Sequence, residues 1–392
     1  MKHLKLFAFP CVLVVVMTAM TVLLQFGMGV ASASVIPNSN CGQWNVDPSP
    51  IVATTNVLNA VATVSTTDVW AVGYSEGTKL KPEPLIENWN GKTWKVITSP
   101  YFTSGGALYG VTVISATDIW AVGTEYKTHL PNGKGLTEHW NGAQWSVVGS
   151  PGHSGSGSVF YGVTAISTSD VWAVGVYYAS IDKSKFYTFA EQWNGTSWSV
   201  VSTPAPKVSS FTGVAAITSS DMWAVGYSGG GKPNVATLTQ HWNGSAWSIV
   251  ASPNVGTISQ LKGVTAVTTS DVWAVGESGG TGAQNALIEN WNGSSWSVSS
   301  NPGSTNGTIL NGVTALSATD VWAVGQTTNS GVTQTFIEQW NGAQWSIVSS
   351  PNVGTLNNEL NGVGGVVGST YVWAAGTSAT SNGSNTLIES YC

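Results

Sequence analysis

Asp271-Val272-Trp273-Ala274-Val275-Gly276 is a polar turn residue followed by a short apolar run that ends in glycine. Close copies of this run recur about every fifty residues along the chain. The other copies are centred on Trp70, Trp120, Trp172, Trp223, Trp322 and Trp373. A fixed period of this size is typical of repeat architectures, in which each unit stacks on its neighbour. Most of the prominent residues are therefore expected to be scaffold.

Each repeat divides into four predicted strands. In residues 310–351, β-branched and apolar runs alternate with turn residues, and Asn341-Gly342 is a strong signal for a two-residue hairpin turn. The predicted strands are 310–317, 321–325, 335–340 and 345–348. Four antiparallel strands per unit, with no helix, predict an all-β fold. We expect a seven-bladed β-propeller with four antiparallel strands per blade.

The last unit breaks off at Cys392, where its hairpin turn should be, and so lacks a fourth strand. The missing strand lies at the other end of the chain, where Trp44 takes the tryptophan position of a fourth strand. Blade 7 is therefore predicted to combine about 359–392 with 41–50. In this alignment Cys392 and Cys41 occupy adjacent turn positions, which predicts a disulfide between them in an oxidising compartment.

The amino terminus has the features of a secretory signal peptide. Lys2 and Lys5 precede an apolar run, and Ala31-Ser32-Ala33 follows it as a cleavage site. The sequence predicts a signal peptide over 1–33, a propeller domain over 34–392, and a secreted product. The alternative is an uncleaved membrane anchor with the repeats facing outside, because the run is nearly long enough to span a bilayer.

Composition excludes several classes of function. Charged residues make up 8% of the chain, the formal net charge is −6, and every one of the 13 basic residues is a lysine. A nucleic-acid interface normally needs a basic stripe with arginines, so none is expected. The sequence has no His-x-x-x-His or Cys-x-x-Cys spacing and no phosphate loop. We therefore expect no metal, no cofactor and a monomeric protein.

The order of features within a repeat resembles the kelch-type β-propeller, including the central domain of galactose-oxidase-like proteins. The resemblance rests on Val272-Trp273-Ala274-Val275-Gly276, Ile288-Glu289-Asn290-Trp291, Trp296 and, one repeat earlier, Pro253. It covers residues 41–392 and departs where kelch units carry two glycines after the second strand, since most copies here carry one. The resemblance implies a binding platform in most cases and an enzyme in a few.

Most residues whose side chains could take part in catalysis or ligand binding stand at positions that recur in every repeat. All 20 tryptophans fall in second strands, before hairpin turns or in fourth strands, so they are expected to pack between blades. Aspartates recur in the turns between first and second strands, and glutamates recur at one third-strand position. We expect those glutamates to pair with backbone or indole N–H groups.

Aromatic residues outside the repeat pattern concentrate in blades 1–4, and these predict a ligand site on one face of the propeller. The candidate residues are Tyr109, Tyr161, Tyr126, Tyr177, Tyr178 and Phe160. A glycan, a cell-envelope polymer or a protein would suit such a surface; alternatively, the aromatic residues pack the cores of their own loops. Two further hypotheses are a polysaccharide hydrolase or lyase using loop acids such as Glu125 and Asp182, and a purely structural surface protein.

Overall fold

The computed structural model describes residues 41–78, 81–100, 102–127, 130–153, 157–179, 184–206, 208–229, 235–280, 283–304 and 307–392. Within these ranges the chain is all-β and contains no helix. In the same residues, no helical segment could serve as a membrane span. The predicted signal peptide, 1–33, lies outside the described residues.

The described strands fall into sets of four, numbered here from set 1, in which each strand pairs with the next. The first strands are β2 (Thr55–Ser65), β6 (Gly106–Ser115), β10 (Ser158–Ser167), β14 (Ser209–Thr218), β18 (Ile258–Thr268), β22 (Thr308–Ser317) and β26 (Asn358–Gly365). The second strands are β3 (Asp68–Glu76), β7 (Asp118–Lys127), β11 (Asp170–Tyr178), β15 (Asp221–Ser228), β19 (Asp271–Gly280), β23 (Asp320–Asn329) and β27 (Val372–Thr380). The third strands are β4 (Pro82–Trp89), β8 (Leu130–Trp140), β12 (Phe186–Trp193), β16 (Ala236–Trp242), β20 (Ala283–Trp291), β24 (Val332–Trp340) and β28 (Gly383–Tyr391). The fourth strands are β5 (Trp94–Val96), β9 (Trp145–Val147), β13 (Trp198–Val201), β17 (Trp247–Val250), β21 (Trp296–Val298), β25 (Trp345–Val348) and, for the last set, β1 (Asn45–Asp47).

Hydrogen bonding groups the described strands into five four-stranded antiparallel sheets and one eight-stranded sheet. The larger sheet combines the last set with set 1, and the two are joined where Thr55 pairs with Ser384 in parallel. Each first strand lies against the first strand of the next set, and β26 in turn lies against β2.

The second strand is the buried centre of each set. In β19 the residues from Val272 to Gly276 are all buried, as expected for an apolar run that is covered on both faces. Gly276 lies against the backbone of Gln260 in β18, so a Cβ at this position would overlap the neighbouring strand. The repeated run from Asp271 to Gly276 is therefore packing scaffold, as predicted.

Every first strand carries a β-bulge at the residue immediately before its Gly-Val or Ala-Val step. In β6, for example, Leu108 pairs with Gly123 and Gly110 with Val122, so Tyr109 is left out of the ladder. A bulge leaves one residue unpaired and re-aims its side chain. The bulged residues are Asn59, Tyr109, Tyr161, Thr212, Lys262, Asn311 and Asn361.

The amino-terminal strand completes the last set, as the sequence predicted. β1 pairs antiparallel with β28, placing Asn45 opposite Ser390. The disulfide between Cys41 and Cys392 is present, with the two Cα atoms 4.8 Å apart. Trp44 is buried and packs edge-on against Trp322, with ring centroids 5.5 Å apart. A covalent bond thus joins the two ends of the described chain at the hairpin position that Asn-Gly occupies in the other sets.

Tryptophans fill the interfaces between consecutive sets. Trp70 of β3 lies 5.0 Å from Trp140 and 5.6 Å from Trp145, both of set 2, as measured between ring centroids. Equivalent groups of three tryptophans are centred on Trp120, Trp172, Trp223 and Trp273. The tryptophans of the second and fourth strands are at most 5% exposed. This confirms the sequence prediction that these residues pack between repeats.

Buried carboxyl groups also lie at these interfaces. The third-strand glutamates are fully buried, and Gln240 replaces them in set 4; the glutamates are Glu87, Glu138, Glu191, Glu289, Glu338 and Glu389. Partners come from the link between sets: Ser99 donates to both oxygens of Glu138 (3.0 and 3.1 Å), and the Gly152 N–H donates to Glu191 (2.9 Å). Burial raises the pKa of Glu138 to about 8, against the opposing effect of the Ser99 hydrogen bond.

Candidate functional site

A cavity of about 420 Å³ lies where the first strands of all the sets meet. Its wall consists of the bulged residues, the two residues that follow each of them, and Ser210 and Tyr227 of set 4. The bulges turn these side chains out of the ladders and towards the shared cavity. Small residues follow because the strands approach closely here: a Cβ on Gly362 would lie 2.8 Å from the Cα of Ala60 in β2.

Hydrogen bonds from four of the bulged residues tie their own first strands to the first strand of the next set. The Asn361 amide donates to the Leu58 carbonyl (3.0 Å), and the Asn59 amide donates to the Leu108 carbonyl (2.7 Å). Asn311 and Thr212 make equivalent bonds to the following sets, at 2.9 and 2.8 Å. Because Asn361 donates from β26 to β2, this series runs across the junction between the last set and set 1.

Sets 2 and 3 carry tyrosine at the bulge, and each bulged tyrosine bonds to a second tyrosine from its own second strand. The Tyr109 side chain is hydrogen-bonded to Tyr126, and Tyr161 to Tyr178. The rings of Tyr109 and Tyr161 are 5.4 Å apart between centroids. Burial raises the pKa of both Tyr109 and Tyr161, so both hydroxyls stay protonated at neutral pH.

Tyr227 and Tyr74 extend this cluster into sets 4 and 1. Tyr227 lines the cavity beside Ser210 and is hydrogen-bonded to it. Tyr74 lies close enough to Tyr126 for their hydroxyls to interact electrostatically. All of these tyrosines are half-buried, leaving part of each ring accessible. We call Tyr74, Tyr109, Tyr126, Tyr161, Tyr178 and Tyr227 the tyrosine cluster.

A charged group faces the same cavity from set 5. Lys262 Nζ donates to the Asn311 side-chain oxygen (3.1 Å) and lies 3.6 Å from Glu277. Burial lowers the pKa of the Lys262 ammonium, while Glu277 and Glu359 act in the opposite direction. Gln260 also donates to Glu277, whose side chain is 4% exposed. Sets 5 and 6 therefore contribute an ammonium and an amide group to the cavity whose wall carries the tyrosines of sets 2 and 3.

The structure brings together four of the six residues that the sequence singled out for ligand binding: Tyr109, Tyr126, Tyr161 and Tyr178. Tyr177 points elsewhere and stacks on His153, with ring centroids 3.6 Å apart, and on Tyr187. Phe160 is fully buried in a core cluster because it occupies the core position before the bulge that Leu108 fills in set 2. A ligand at the cavity cannot contact Phe160.

Of the two loop acids that the sequence offered for catalysis, one is described by the structure. Glu125 pairs with Lys127 and does not line the cavity. Asp182 lies outside the described residues. Within those residues, no three or more His, Cys, Asp or Glu side chains are arranged to hold a metal ion.

Sequence reasoning missed the contributions of Asn59, Lys262 and Glu359. The signal that could have found the first two is the residue before Gly-Val or Ala-Val in each first strand. It varies among asparagine, tyrosine, threonine and lysine, whereas the following valine is constant in every set. A variable position within an invariant repeat indicates a role that differs from set to set.

Three solved structures share the fold of this chain at low sequence identity. A YCF48 structure with a bound D1 peptide aligns with a TM-score of 0.55 and 14% identity, over 91% of this chain and 99% of that chain. YCF48 from Cyanidioschyzon merolae aligns with a TM-score of 0.52 and 14% identity, over 89% and 98%. An ulvan lyase of polysaccharide lyase family PL25, bound to -[GlcA(1-4)Rha3S]-, gives 0.51 and 10%, over 89% and 97%.

The sequence matches no protein-family model and no curated protein sequence. The YCF48 and ulvan lyase structures are β-propellers, and alignment over nearly the whole length of each supports the same architecture here. The chain is an all-β protein of the β-propeller type, built from repeated four-stranded antiparallel sheets.

Proposed function

We propose that this protein is a secreted, seven-bladed β-propeller that binds an extracellular glycan at the tyrosine-lined end of its central cavity. The observation that carries the proposal is the tyrosine cluster, which gathers residues from four consecutive sets; Tyr109, Tyr161 and Tyr227 of this cluster line the main cavity. Seven blades are supported by the series of contacts from β2 through β26 and back to β2. The assignment to the kelch type rests on the order of sequence features.

The chemistry of the wall suits a saccharide. Tyrosine rings offer flat apolar faces for the C–H surface of a sugar, and their hydroxyls remain available as hydrogen-bond groups. The amides of Asn59, Asn311 and Asn361 lie in the same wall. A volume of about 420 Å³ falls within the range of small-ligand sites and could hold one or two sugar units of a polymer.

Secretion is supported by the signal-like amino terminus and by the Cys41–Cys392 disulfide, which is a common feature of exported proteins. The ligand is therefore expected outside the cell, as a free glycan or as part of a cell-envelope polymer. The bound D1 peptide of one YCF48 structure keeps a protein ligand among the alternatives to be tested.

Retention on a panel of immobilised polysaccharides tests the proposal. We expect Tyr109→Ala and Tyr161→Ala each to weaken binding by about tenfold or more, because each removes a stacking surface. Tyr177→Ala is the matched control, since Tyr177 stacks on His153 and does not line the cavity. Unchanged retention in both cavity variants, or a loss confined to Tyr177→Ala, would refute the assignment.

A polysaccharide lyase is the second candidate function, and Lys262 is the observation that favours it. A lysine whose pKa is lowered by burial can act as a proton acceptor, and Lys262 shares the cavity with two protonated tyrosines. Incubating the protein with uronate-containing polysaccharides and measuring ultraviolet absorbance would detect the unsaturated products of elimination. Product formation that Lys262→Met abolishes would establish the lyase; binding without products would leave a binding module.

A further inference from the structure

A second cavity, of about 470 Å³, opens beside the first and shares Asn59, Tyr109 and Asn361 with it. Its wall adds two tyrosines and two carboxylates from sets 1, 2 and 7. These residues are Tyr74, Tyr126, Glu76 and Glu359. We call this space the side pocket. Its composition differs from that of the main cavity, where Lys262 contributes a positive charge.

The side pocket is negative and aromatic at once. No lysine or histidine is among its described lining residues, whereas Glu76 and Glu359 both are. Burial raises the pKa of Glu359, and Lys262, which lies 3.6 Å from Glu277, opposes this shift electrostatically. Lys81, near the lining residue Pro82, contacts Glu83 and the Phe102 carbonyl.

The field inside the side pocket is consistent with this charge balance. Burial raises the pKa of the Tyr74 hydroxyl, and Glu76, Tyr126 and Glu359 raise it further. Both carboxylates therefore act on the same point in the pocket. An anionic ligand group would meet repulsion here, and a neutral group would add no opposite charge beside the two carboxylates that line this partly desolvated space.

We propose that the side pocket binds an ammonium group, and that the glycan held in the main cavity therefore carries a free amine, as in a glucosamine unit. Tyrosine faces attract a cation through the ring quadrupole, and carboxylates pair with it directly. The amine would enter between Tyr74, Tyr109 and Tyr126 and pair with Glu76 and Glu359. The neighbouring sugar would lie against Tyr109, which belongs to both cavities. This inference rests on the proposed glycan-binding function.

Two oligosaccharides of equal length test the inference by calorimetry: the tetramer of glucosamine and the tetramer of N-acetylglucosamine. They differ in the charge of the amine and have the same backbone. At pH 6 the glucosamine tetramer should bind about tenfold more tightly, because acetylation removes the positive charge. Glu76→Gln and Glu359→Gln should each remove most of that preference. Glu125→Gln is the control, because Glu125 pairs with Lys127 and lines neither cavity.

Tetramethylammonium chloride provides a probe that needs no sugar. It should compete with the glucosamine tetramer, or bind alone, and the Tyr74→Ala and Glu359→Gln variants should lose this interaction. If the N-acetylated tetramer binds as well as the glucosamine tetramer, the ammonium site is overturned while glycan binding stands. If neither tetramer binds but tetramethylammonium does, the ammonium site stands and glycan binding falls. If the wild-type protein binds none of the three, both fall.

Discussion

Replacing Glu87 with glutamine should make the protein less sensitive to alkaline pH. Glu87 is fully buried in β4, and neither of its carboxylate oxygens has a hydrogen-bond partner among the described residues. Burial raises the pKa of this carboxyl from 4.5 to about 8. Glutamine has nearly the same shape and stays neutral at every pH, and Gln240 occupies the same place in β16.

The sign and size of the effect follow from proton linkage. Between pH 4.5 and 8 the unfolded chain loses this proton while the folded chain keeps it, so folding stability falls as the pH rises. A group with these two pKa values lowers the free energy of unfolding by about 2 kcal/mol between pH 6 and pH 8. Below pH 4.5 both states are protonated, and the destabilisation disappears.

Urea unfolding at pH 5, 6, 7 and 8 measures this contribution as the difference between Glu87→Gln and wild type. The constant cost or gain of the amide cancels, because only the dependence of that difference on pH is tested. Gln240→Glu is the matched reverse variant, and its stability relative to wild type should fall across the same range. A Glu87→Gln difference that stays constant from pH 5 to pH 8 would refute the assignment of a buried, protonated carboxyl.

Two further predictions concern the residues that join the last set to the beginning of the described chain. Replacing Cys41 and Cys392 with serine should lower the free energy of unfolding by up to roughly 5 kcal/mol, since the disulfide closes almost the whole chain; a non-reducing unfolding series that matches wild type would contradict it. Gly362→Ala should cost about 1–3 kcal/mol, because its Cβ would press on the Ala60 backbone. Gly149→Ala, whose Cβ would meet nothing within 4 Å, is the control, and equal thermal shifts in both variants would refute the contact.

The scaffold was predictable because each structural feature that builds it is encoded by a short stretch of sequence and recurs in every repeat. Asn-Gly turns, apolar second strands and the tryptophans recur in every complete unit, so a single reading applies throughout the chain. The disulfide was predictable for the same reason: Cys41 and Cys392 stand at a position whose geometry the other repeats define. Wrong assignments arose where one residue was considered outside its repeat, as with Phe160, which fills a leucine position.

The site was only partly predictable, because it depends on bulges and on contacts between distant sets. The sequence Leu108-Tyr109-Gly110 does not by itself predict that Tyr109 is left unpaired between the two strands. Glu359 and Glu76 are far apart in sequence and meet only because the last set lies beside set 1. Composition identified the aromatic excess in the early repeats, whereas only the fold separates the tyrosine cluster from Tyr177, which stacks on His153.

The tyrosines at the bulges are more than the scaffold needs. Asn59, Asn311 and Asn361 show that asparagine at this position ties one first strand to the next through a carbonyl. Tyr109 and Tyr161 instead bond to tyrosines of their own sets and keep part of each ring open to the cavity. The contact between these two rings links sets 2 and 3, but the aromatic surface left open to the cavity adds nothing to packing and so requires another explanation. Ligand binding at this opening provides that explanation. The residues to test for ligand contact are then the bulged residues that are not asparagine.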